Sequence, residues 1–476
     1  ILTPKEMLEG FSNKGMITVA LLFLVSEGIR QSGTLGQVIK KLLPQGKTTV
    51  FKAQLRILPS VAFISAFLNN TPVVVIFAPI IKHWAKSVNL PATKFLIPLS
   101  YVTILGGICT LIGTSTNLVV HGMILEAGFE GFSMFELGKV GIFIAIAGII
   151  YIFLFSKRLL PDARPDTAVP DEEVEEGEKL HRVEAVLGAR FPGINKKLKD
   201  FNFQRHYGAE VKEIKTRNGQ RFVSNLEEVV LHEGDTLVVM ADDTFIPTWG
   251  ESSVFVLLTN GNEPDTTGKK KRWFALLLLV LMIVGATVGE LPITKEMFPD
   301  IKLDMFFFVS ITTIIMAWTN LFPARKYTKY ISWDILITIA CAFAISKAMV
   351  NSGVADSVAK FIIGLSDDYG PHVLLAMVFI ITNLFTELIT NNAAAALAFP
   401  LALSISAQLG VSPTPFFVVI CMAASASFST PIGYQTNLIV QGIGNYKFTD
   451  FVRIGLPLNI ITFLISIILI PLIWNF

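Results

Sequence analysis

Charged residues are scarce in this chain: Asp, Glu, Lys and Arg make up 16% of its 476 residues, against about 25% in soluble domains. That shortfall, with 52% hydrophobic residues and a mean hydropathy of +0.59, excludes a soluble globular protein and predicts a polytopic membrane one. Neither sign of charge is in excess. The 39 basic and 37 acidic side chains leave a formal charge of +2, too little to follow a phosphate backbone, so nucleic acid is excluded as a partner. Cysteine is nearly missing too: Cys109, Cys341 and Cys421 have no metal spacing and form no even-numbered framework. No nucleophile, base and orienter set emerges, and no Gly-rich phosphate loop precedes a helix, which argues against an enzyme. A cleavable signal is lacking and residues 1–14 are polar without an initiator Met, so the start is expected to be truncated.

What is present are long apolar runs. Crossing about 30 Å of hydrocarbon takes roughly 20 helical residues, and runs of that kind fall near 15–33, 94–123, 134–157, 273–291, 303–322, 333–350, 412–443 and 450–473. Two more, 47–86 and 371–409, are interrupted at mid-run by Asn69-Asn70-Thr71-Pro72 and Thr390-Asn391-Asn392. A polar break at membrane depth is tolerated only beside protein or a water-filled cavity, so both runs are predicted to be re-entrant hairpins.

The chain also matches itself at an offset of 320 or 321. Ser32-Gly33 aligns with Ser352-Gly353, Asn70 with Asn391, and Gly113–Val120 (GTSTNLVV) with Gly433–Val440 (GYQTNLIV). An odd number of crossings between equivalent points inverts the second copy, an architecture of transporters. The second copy is preceded by two helices, 273–322, without a counterpart before residue 15, so at least two spans are expected ahead of residue 1. Lys and Arg bias places the loop 158–272 in the cytoplasm with Lys40, Lys41, Lys47, Lys82, Lys86, Lys94, Arg325, Lys326 and Lys329. Glu126, Glu130, Asp356, Asp367, Asp368 and the C-terminus then lie outside.

Residues 161–272 break the apolar pattern. An acidic linker, Pro161–Lys179, leads to a small soluble α/β domain with its core at 181–248. Strands are predicted at His181–Leu187, Tyr207–Lys215 and Thr236–Met240, and a short helix at Gly193–Phe201.

The Asn-bearing tips, the paired Gly-Thr/Tyr-x-Thr-Asn breaks and the inverted halves resemble the divalent anion:sodium symporter family of the ion transporter superfamily, over residues 15–157 and 273–473. The family's Ser-Asn-Thr tip reads Asn69-Asn70-Thr71 in one half here and Thr390-Asn391-Asn392 in the other. The insert, with Gly193-Ile194-Asn195-Lys196-Lys197-Leu198, Tyr207-Gly208 and Glu233-Gly234-Asp235, resembles the C-terminal RCK domain of channel and transporter regulators. Relatives usually carry two copies, and Val254–Leu258 is expected to be the remnant of a second. The resemblance implies an all-α polytopic, elevator-type membrane fold of inverted repeats. The first repeat, 1–157, holds hairpin 47–86; the second, 273–476, holds hairpin 371–409; the RCK-like insert at 158–272 lies between them.

The same resemblance implies sodium-coupled symport of a divalent oxyanion, sulfate above dicarboxylate, by a homodimer in the cell membrane. Arsenite, phosphate or sodium–proton exchange are the alternatives within the superfamily; a membrane enzyme or a ligand-gated channel is the alternative outside it. Sodium wants several hard oxygens, and broken helices and hydroxyls supply them: Ser65, Asn69, Asn70 and Gly113 in the first half, Thr386, the Ile389 carbonyl, Asn391 and Gly433 in the second. An oxyanion wants donors, and the positive end of a return helix provides them; Asn70, Thr71, Asn391 and Asn392 add side-chain donors, with Thr114 and Thr436 lining the same cavity. Such Ser, Thr and Asn residues also serve as plain helix caps; their repetition at equivalent positions favours a site.

Three intramembrane ionisable residues, Glu27, Lys347 and Glu387, each cost roughly 2.5–3.5 kcal/mol at a helix centre. Glu27 and Lys347 read as a structural ion pair or two snorkelling ends, and Glu387 as a candidate proton site. Domains of the insert's type bind small ligands between partners, cyclic di-AMP among them; Arg205, His206 and Lys212, on or beside the Tyr207–Lys215 strand, are the cationic groups available for one.

Overall fold

Polar caps and breaks decide where the apolar runs become helices. Helix Lys14–Gln31 opens behind Asn13, whose side-chain oxygen accepts from the N–H groups of Gly15 and Met16, satisfying donors that no helical carbonyl reaches. Asn391–Leu409 opens in the same way behind Thr390. The computed structural model describes residues 2–162, 180–188, 190–216, 220–242, 245–249, 254–259, 269–297, 302–364 and 370–476; Asp367, Asp368 and the linker from 163 to 179 lie outside them.

Seven helices recur in the same order in the two halves. They are Lys14–Gln31 with Trp333–Asn351, Thr34–Leu42 with Val354–Gly364, Val50–Ser65 with Gly370–Leu388, Asn70–Ser87 with Asn391–Leu409, Leu96–Gly107 with Thr414–Ser425, Ser115–Glu126 with Gln435–Gly444, and Gly138–Leu159 with Phe448–Ile473. Lys269–Gly289 and Met305–Trp318 precede the second set. Six helices among the described residues are long and apolar enough to cross a membrane, and the protein is a multi-pass membrane protein. The runs 94–123 and 412–443 are not continuous helices: each divides at the Gly-Thr/Tyr segment, which leaves residues 108–114 and 426–434 without regular helix. Both helices around the second Asn pair, 19 residues each, are long and apolar enough to cross a bilayer, so helix length does not distinguish a fold-back from two crossings. Thr34–Leu42 and Val354–Gly364, absent from the hydropathy reading, are short helices that mix polar with apolar residues.

The two halves interlock crosswise. Asn70–Ser87 packs on Gln435–Gly444, and Asn391–Leu409 on Ser115–Glu126, so each helix that begins at an Asn pair lies against the post-break helix of the other half. Glu27 and Lys347 do not pair with each other. Glu27 binds Arg30 one turn on (2.7 Å), and Lys347 binds Glu9 (2.6 Å).

Between the halves lies a five-stranded antiparallel sheet ordered β3-β2-β4-β1-β5, with β1 His181–Leu187, β2 Glu210–Lys215, β3 Arg221–Phe222, β4 Thr236–Ala241 and β5 Phe255–Thr259. Alternation along β1 turns Val183, Ala185 and Leu187 into the sheet's own core with Leu237, Val239, Phe191 and Tyr207. Three expectations for this region are corrected. Within Gly193–Phe201 only a single 3-10 turn forms, at Leu198–Asp200, and the α-helix is Phe203–Tyr207, behind an Asn202 cap. The second strand therefore starts at Glu210, after Gly208 in the left-handed conformation (φ +71°). Residues 255–259 pair with β1 as the edge strand of the same sheet, which carries the sheet past residue 248.

Candidate functional site

The two Asn pairs stand at helix starts, and their side chains are fixed by matching bonds. Ser65 ends its incoming helix and Thr386 lies in the last turn of its own, and each hydroxyl meets the amide of the paired Asn: Ser65 Oγ to Asn70 at 2.8 Å, Thr386 Oγ1 to Asn391 at 2.9 Å. All four residues are buried, Ser65, Asn70 and Thr386 completely. One end of the Asn70 amide faces three oxygens: Ser65 Oγ at 2.8 Å, the Thr103 carbonyl at 3.0 Å and the Gly113 carbonyl at 3.3 Å. Without a cation, the amide nitrogen fits that end, and the amide oxygen then accepts from the Tyr434 hydroxyl at 2.5 Å. With the amide oxygen turned inward, four oxygens would face one another with the Ser65 hydroxyl donating to the amide oxygen, an arrangement that a hard cation stabilises.

The breaks hold their shape by a second set of matched bonds. Thr110 Oγ1 accepts from the Gly113 N–H and Thr430 Oγ1 from the Gly433 N–H, both at 3.2 Å. Asn117 and Asn437 donate to the Thr110 and Thr430 carbonyls at 2.9 and 3.1 Å. Close approach explains the glycines: a Cβ on Gly113 would sit 2.5 Å from the Gly107 carbonyl and 2.9 Å from that of Ala66, and one on Gly433 would sit 2.0 Å from Ser427 Oγ and 2.5 Å from the Thr386 carbonyl. In each half the glycine brings break and tip together.

Most of the expected residues converge, and some do not. Thr71 Oγ1 donates across the halves to Gln435 Oε1 at 3.1 Å; its counterpart Asn392 accepts from Ser115 and Thr116, both at 3.2 Å. Thr114 reaches the Tyr434 hydroxyl at 3.1 Å. Thr436 stands apart, fully buried with its hydroxyl bonded to Ser100 at 2.9 Å. Asn69 is half-buried and lines a small cavity with Ser26 and Ser115, and Ile389 is 38% exposed.

Sequence reasoning passed over Tyr434. Its hydroxyl lies within hydrogen-bonding reach of Asn70, Thr114 and Asn391, so a single buried phenol joins both tips and one break. The signal was the 320-residue offset itself, which sets Tyr434, and not Thr436, opposite Thr114. Arg205 and His206 sit on the Phe203–Tyr207 helix, where His206 stacks on Phe201 (4.8 Å between ring centres), and Lys212 is paired with Glu210 at 2.7 Å.

The sheet is tied to this site's helices. Glu184 of β1 accepts from Lys82 of the Asn70 helix (2.9 Å) and from Lys215 of β2 (3.3 Å), with the Lys215 side chain only 3% exposed. Burial raises the Glu184 carboxyl, but Lys82 and Lys215 more than offset that and hold it at about 2. Beside the pair, Gly442 of the Gln435–Gly444 helix rests on Thr236 and Val186, and Leu438 on Gly234.

Comparison with known proteins gives this geometry a context. A family profile described as citrate transporter (CitMHS) matches residues 1–410 and again 301–475. The chain is 30% identical to uncharacterized transporter sll0640 of Synechocystis sp., over 100% of this chain and 91% of that one. It is 31% identical to sodium/sulfate cotransporter 2 of Chlamydomonas reinhardtii over 59% of this chain and 31% of that protein. Human solute carrier family 13 member 4 is 25% identical over 33% of this chain and 24% of its own.

Proposed function

The chain belongs to the citrate transporter family, within the divalent anion:sodium symporters, and is a secondary transporter of anions rather than an enzyme; from that premise we propose that it couples sodium to uptake of a divalent oxyanion, sulfate above dicarboxylate. The observation that carries this reading is the matched pair of tips, Ser65–Asn70 beside Gly113 and Thr386–Asn391 beside Gly433, each with hydroxyl, amide and carbonyl oxygens drawn together. These hold the two sodium ions, with Asn69 and the Ile389 carbonyl completing the shells. Thr71, Thr114 and Asn392, with the N–H groups opening the two Asn helices, hold the anion. A phenol at position 434, where the first half has Thr114, leaves a smaller space between the tips, which favours a compact tetrahedral anion. Transport of labelled sulfate into proteoliposomes with and without sodium, with succinate, phosphate and thiosulfate as competitors, tests this. Sodium-independent uptake, or competition by succinate alone, overturns it.

Tyr434→Phe keeps the ring and removes the hydroxyl that ties Asn70, Thr114 and Asn391. The net worth of such bonds is about 0.5–1.5 kcal/mol each, so the expected outcome is a rise in anion KM of about tenfold with membrane yield unchanged, read from uptake against anion concentration.

The repeats are inverted, the Asn pairs are tips of re-entrant hairpins, and tips and breaks travel together as an elevator against a scaffold that includes residues 273–322 and forms a homodimer; crosslinks that fix a tip to the scaffold should stop transport. The RCK-like sheet is cytoplasmic and regulatory, its ligand a small phosphodiester such as cyclic di-AMP. What supports a regulatory role is the buried Lys82–Glu184–Lys215 contact, which joins the sheet to the helix that Asn70 opens. Glu184→Gln takes the carboxylate from the buried Lys215 ammonium and from the part-buried one of Lys82, a change that costs at most the roughly 3–5 kcal/mol of a fully buried pair. The expected result is a sheet that becomes protease-sensitive and transport that loses its regulation, measured by limited proteolysis beside uptake. Because the Glu184 pKa is lowered from its ordinary 4.5 to about 2, the contact's contribution is complete above about pH 4.5 and is lost as pH falls through about 2.

A further inference from the structure

The incoming helix of the first tip, Val50–Ser65, meets the long span Gly138–Leu159 at the end from which the chain runs into the insert. What joins them there is polar. Gln54 donates to Ser156 Oγ at 3.0 Å, Ser156 donates back to Gln54 Oε1 at 3.1 Å, and both residues are buried. Outward from that floor the helices part, and a groove of about 580 Å³ opens between them. Its walls are apolar, with Phe51 and Phe153 set edge to face (ring centres 6.0 Å apart) and Leu154 beside them. Its rim is cationic, formed by Lys157 and Arg158, and no carboxylate among the described residues lines it.

Lysine and arginine at the end of a helix commonly bond its last carbonyls or pair with a nearby acid. Here another residue does both. Lys94 Nζ donates to the Lys157 and Leu160 carbonyls at 2.8 and 2.5 Å and pairs with Asp162 at 3.1 Å. The Lys157 and Arg158 side chains are exposed and make no ion pair or hydrogen bond among the described residues. Orienting a span needs cations near its end, on any side of it; it does not need them on the rim of an apolar groove.

From the groove the apolar surface continues along the span. Ile142, Ile146, Ile150 and Leu154, each more than half exposed, form one slanting row of residues four apart. Twelve residues of helix rise about 18 Å, which matches the hydrocarbon of one leaflet, half of about 30 Å. A cationic rim at the head of an apolar track fits an anionic amphiphile. A second copy of the chain docked through this groove about a two-fold axis would bring the unpaired cations of both rims together, so the charge favours lipid as the occupant.

We propose that this groove binds an anionic phospholipid, its phosphate held by Lys157 and Arg158 and an acyl chain lying along the row from Leu154 to Ile142. Guanidinium and ammonium both suit a phosphate, the first as a planar fork and the second as a point charge, and basic pockets between membrane helices take such headgroups. The lipid then lies on the helix that carries Ser65 to Asn70. The proposal is independent of the sodium–anion reading, because binding tests it without transport.

The test uses the full chain purified in dodecyl maltoside, with phosphatidylglycerol or phosphatidylcholine of the same chain length added. Phosphatidylglycerol should raise the melting temperature by at least about 2 °C over phosphatidylcholine, as a ligand of the folded state does, and detergent-washed protein should retain about one phosphatidylglycerol per chain by mass spectrometry. Lys157→Gln combined with Arg158→Gln should lose both responses while melting like the wild type in phosphatidylcholine. Lys270→Gln combined with Lys271→Gln, which removes as many charges at the start of another span, should keep both. Leu154→Trp fills the groove with charge unchanged and should also lose lipid retention, so the test stands if the first variant does not insert. Equal responses of the wild type to the two lipids, a full phosphatidylglycerol response in the Lys157 and Arg158 variant or in Leu154→Trp, or its loss in the Lys270 and Lys271 variant overturns the proposal. Soluble glycerol phosphate that raises the melting temperature as much as phosphatidylglycerol overturns it too, since the groove would then hold a free anion and no lipid.

Discussion

Replacing Asn70 or Asn391 by alanine is expected to lower sodium-coupled uptake by at least about 100-fold while the protein still inserts. At the Asn70 amide a hydroxyl, a break carbonyl and the Tyr434 hydroxyl converge, and at the Asn391 amide the Thr386 and Tyr434 hydroxyls do. Truncation removes a ligand for sodium and part of the Tyr434 contact, and at Asn70 it also frees Ser65 Oγ, whereas Thr386 Oγ1 keeps the Ala424 carbonyl at 2.6 Å, so the loss exceeds that of one bond and is larger at Asn70. Buried polar groups left without partners cost about 1–3 kcal/mol each, and two of them at one tip reach the stated factor, since 1.36 kcal/mol is tenfold. Uptake assays at saturating sodium, with membrane yield as the control, check it. A variant at either position with wild-type sodium dependence removes the tip from the sodium site.

Gly433→Ala should be among the most damaging of the small substitutions. Its methyl group would lie 2.0 Å from Ser427 Oγ and 2.5 Å from the Thr386 carbonyl, and the second of these is backbone on the tip itself. Ser427 is fully buried and donates to that same carbonyl at 3.3 Å, so its side chain has nowhere apolar to swing. Overpacking a filled interior costs about 1–3 kcal/mol and more where backbone must move; here the movement separates break from tip, so transport should be lost along with a lowered melting temperature. Gly113→Ala, blocked by the Gly107 and Ala66 carbonyls, should behave alike. Gly364→Ala, with nothing among the described residues within 4 Å of the added carbon, is the control and should change neither. A thermal-shift series beside uptake decides the matter; a Gly433→Ala protein of wild-type stability and activity contradicts the close packing.

Several features were legible along the chain alone, because they are local or periodic. Scarce charge and long apolar runs dictate a membrane protein whatever the packing, since hydrocarbon admits little else. The 320-residue offset and the Asn pairs Asn69-Asn70 and Asn391-Asn392 are printed in the residue order, and they picked out Ser65 and Thr386 one helical turn before each tip. Other features depend on partners hundreds of residues away, and no spacing rule reaches that far. Tyr434 reads along the chain as an aromatic replacing a threonine; only packing sets its hydroxyl between Asn70, 364 residues away, and Thr114. Thr436 has the right type and a suggestive motif, yet the twist of its helix turns it to Ser100. Glu184 looks like any strand carboxylate until the fold lays Lys82 on one side of it and Lys215 on the other. Likewise the strand at 255–259 could be assigned to its sheet only by backbone pairing with β1, because a short edge strand has no pattern that names its neighbour. Composition and periodicity determine which segments leave water; which side chains then meet inside is decided by tertiary contacts, where a single missing Cβ at Gly113 or Gly433 settles what can touch.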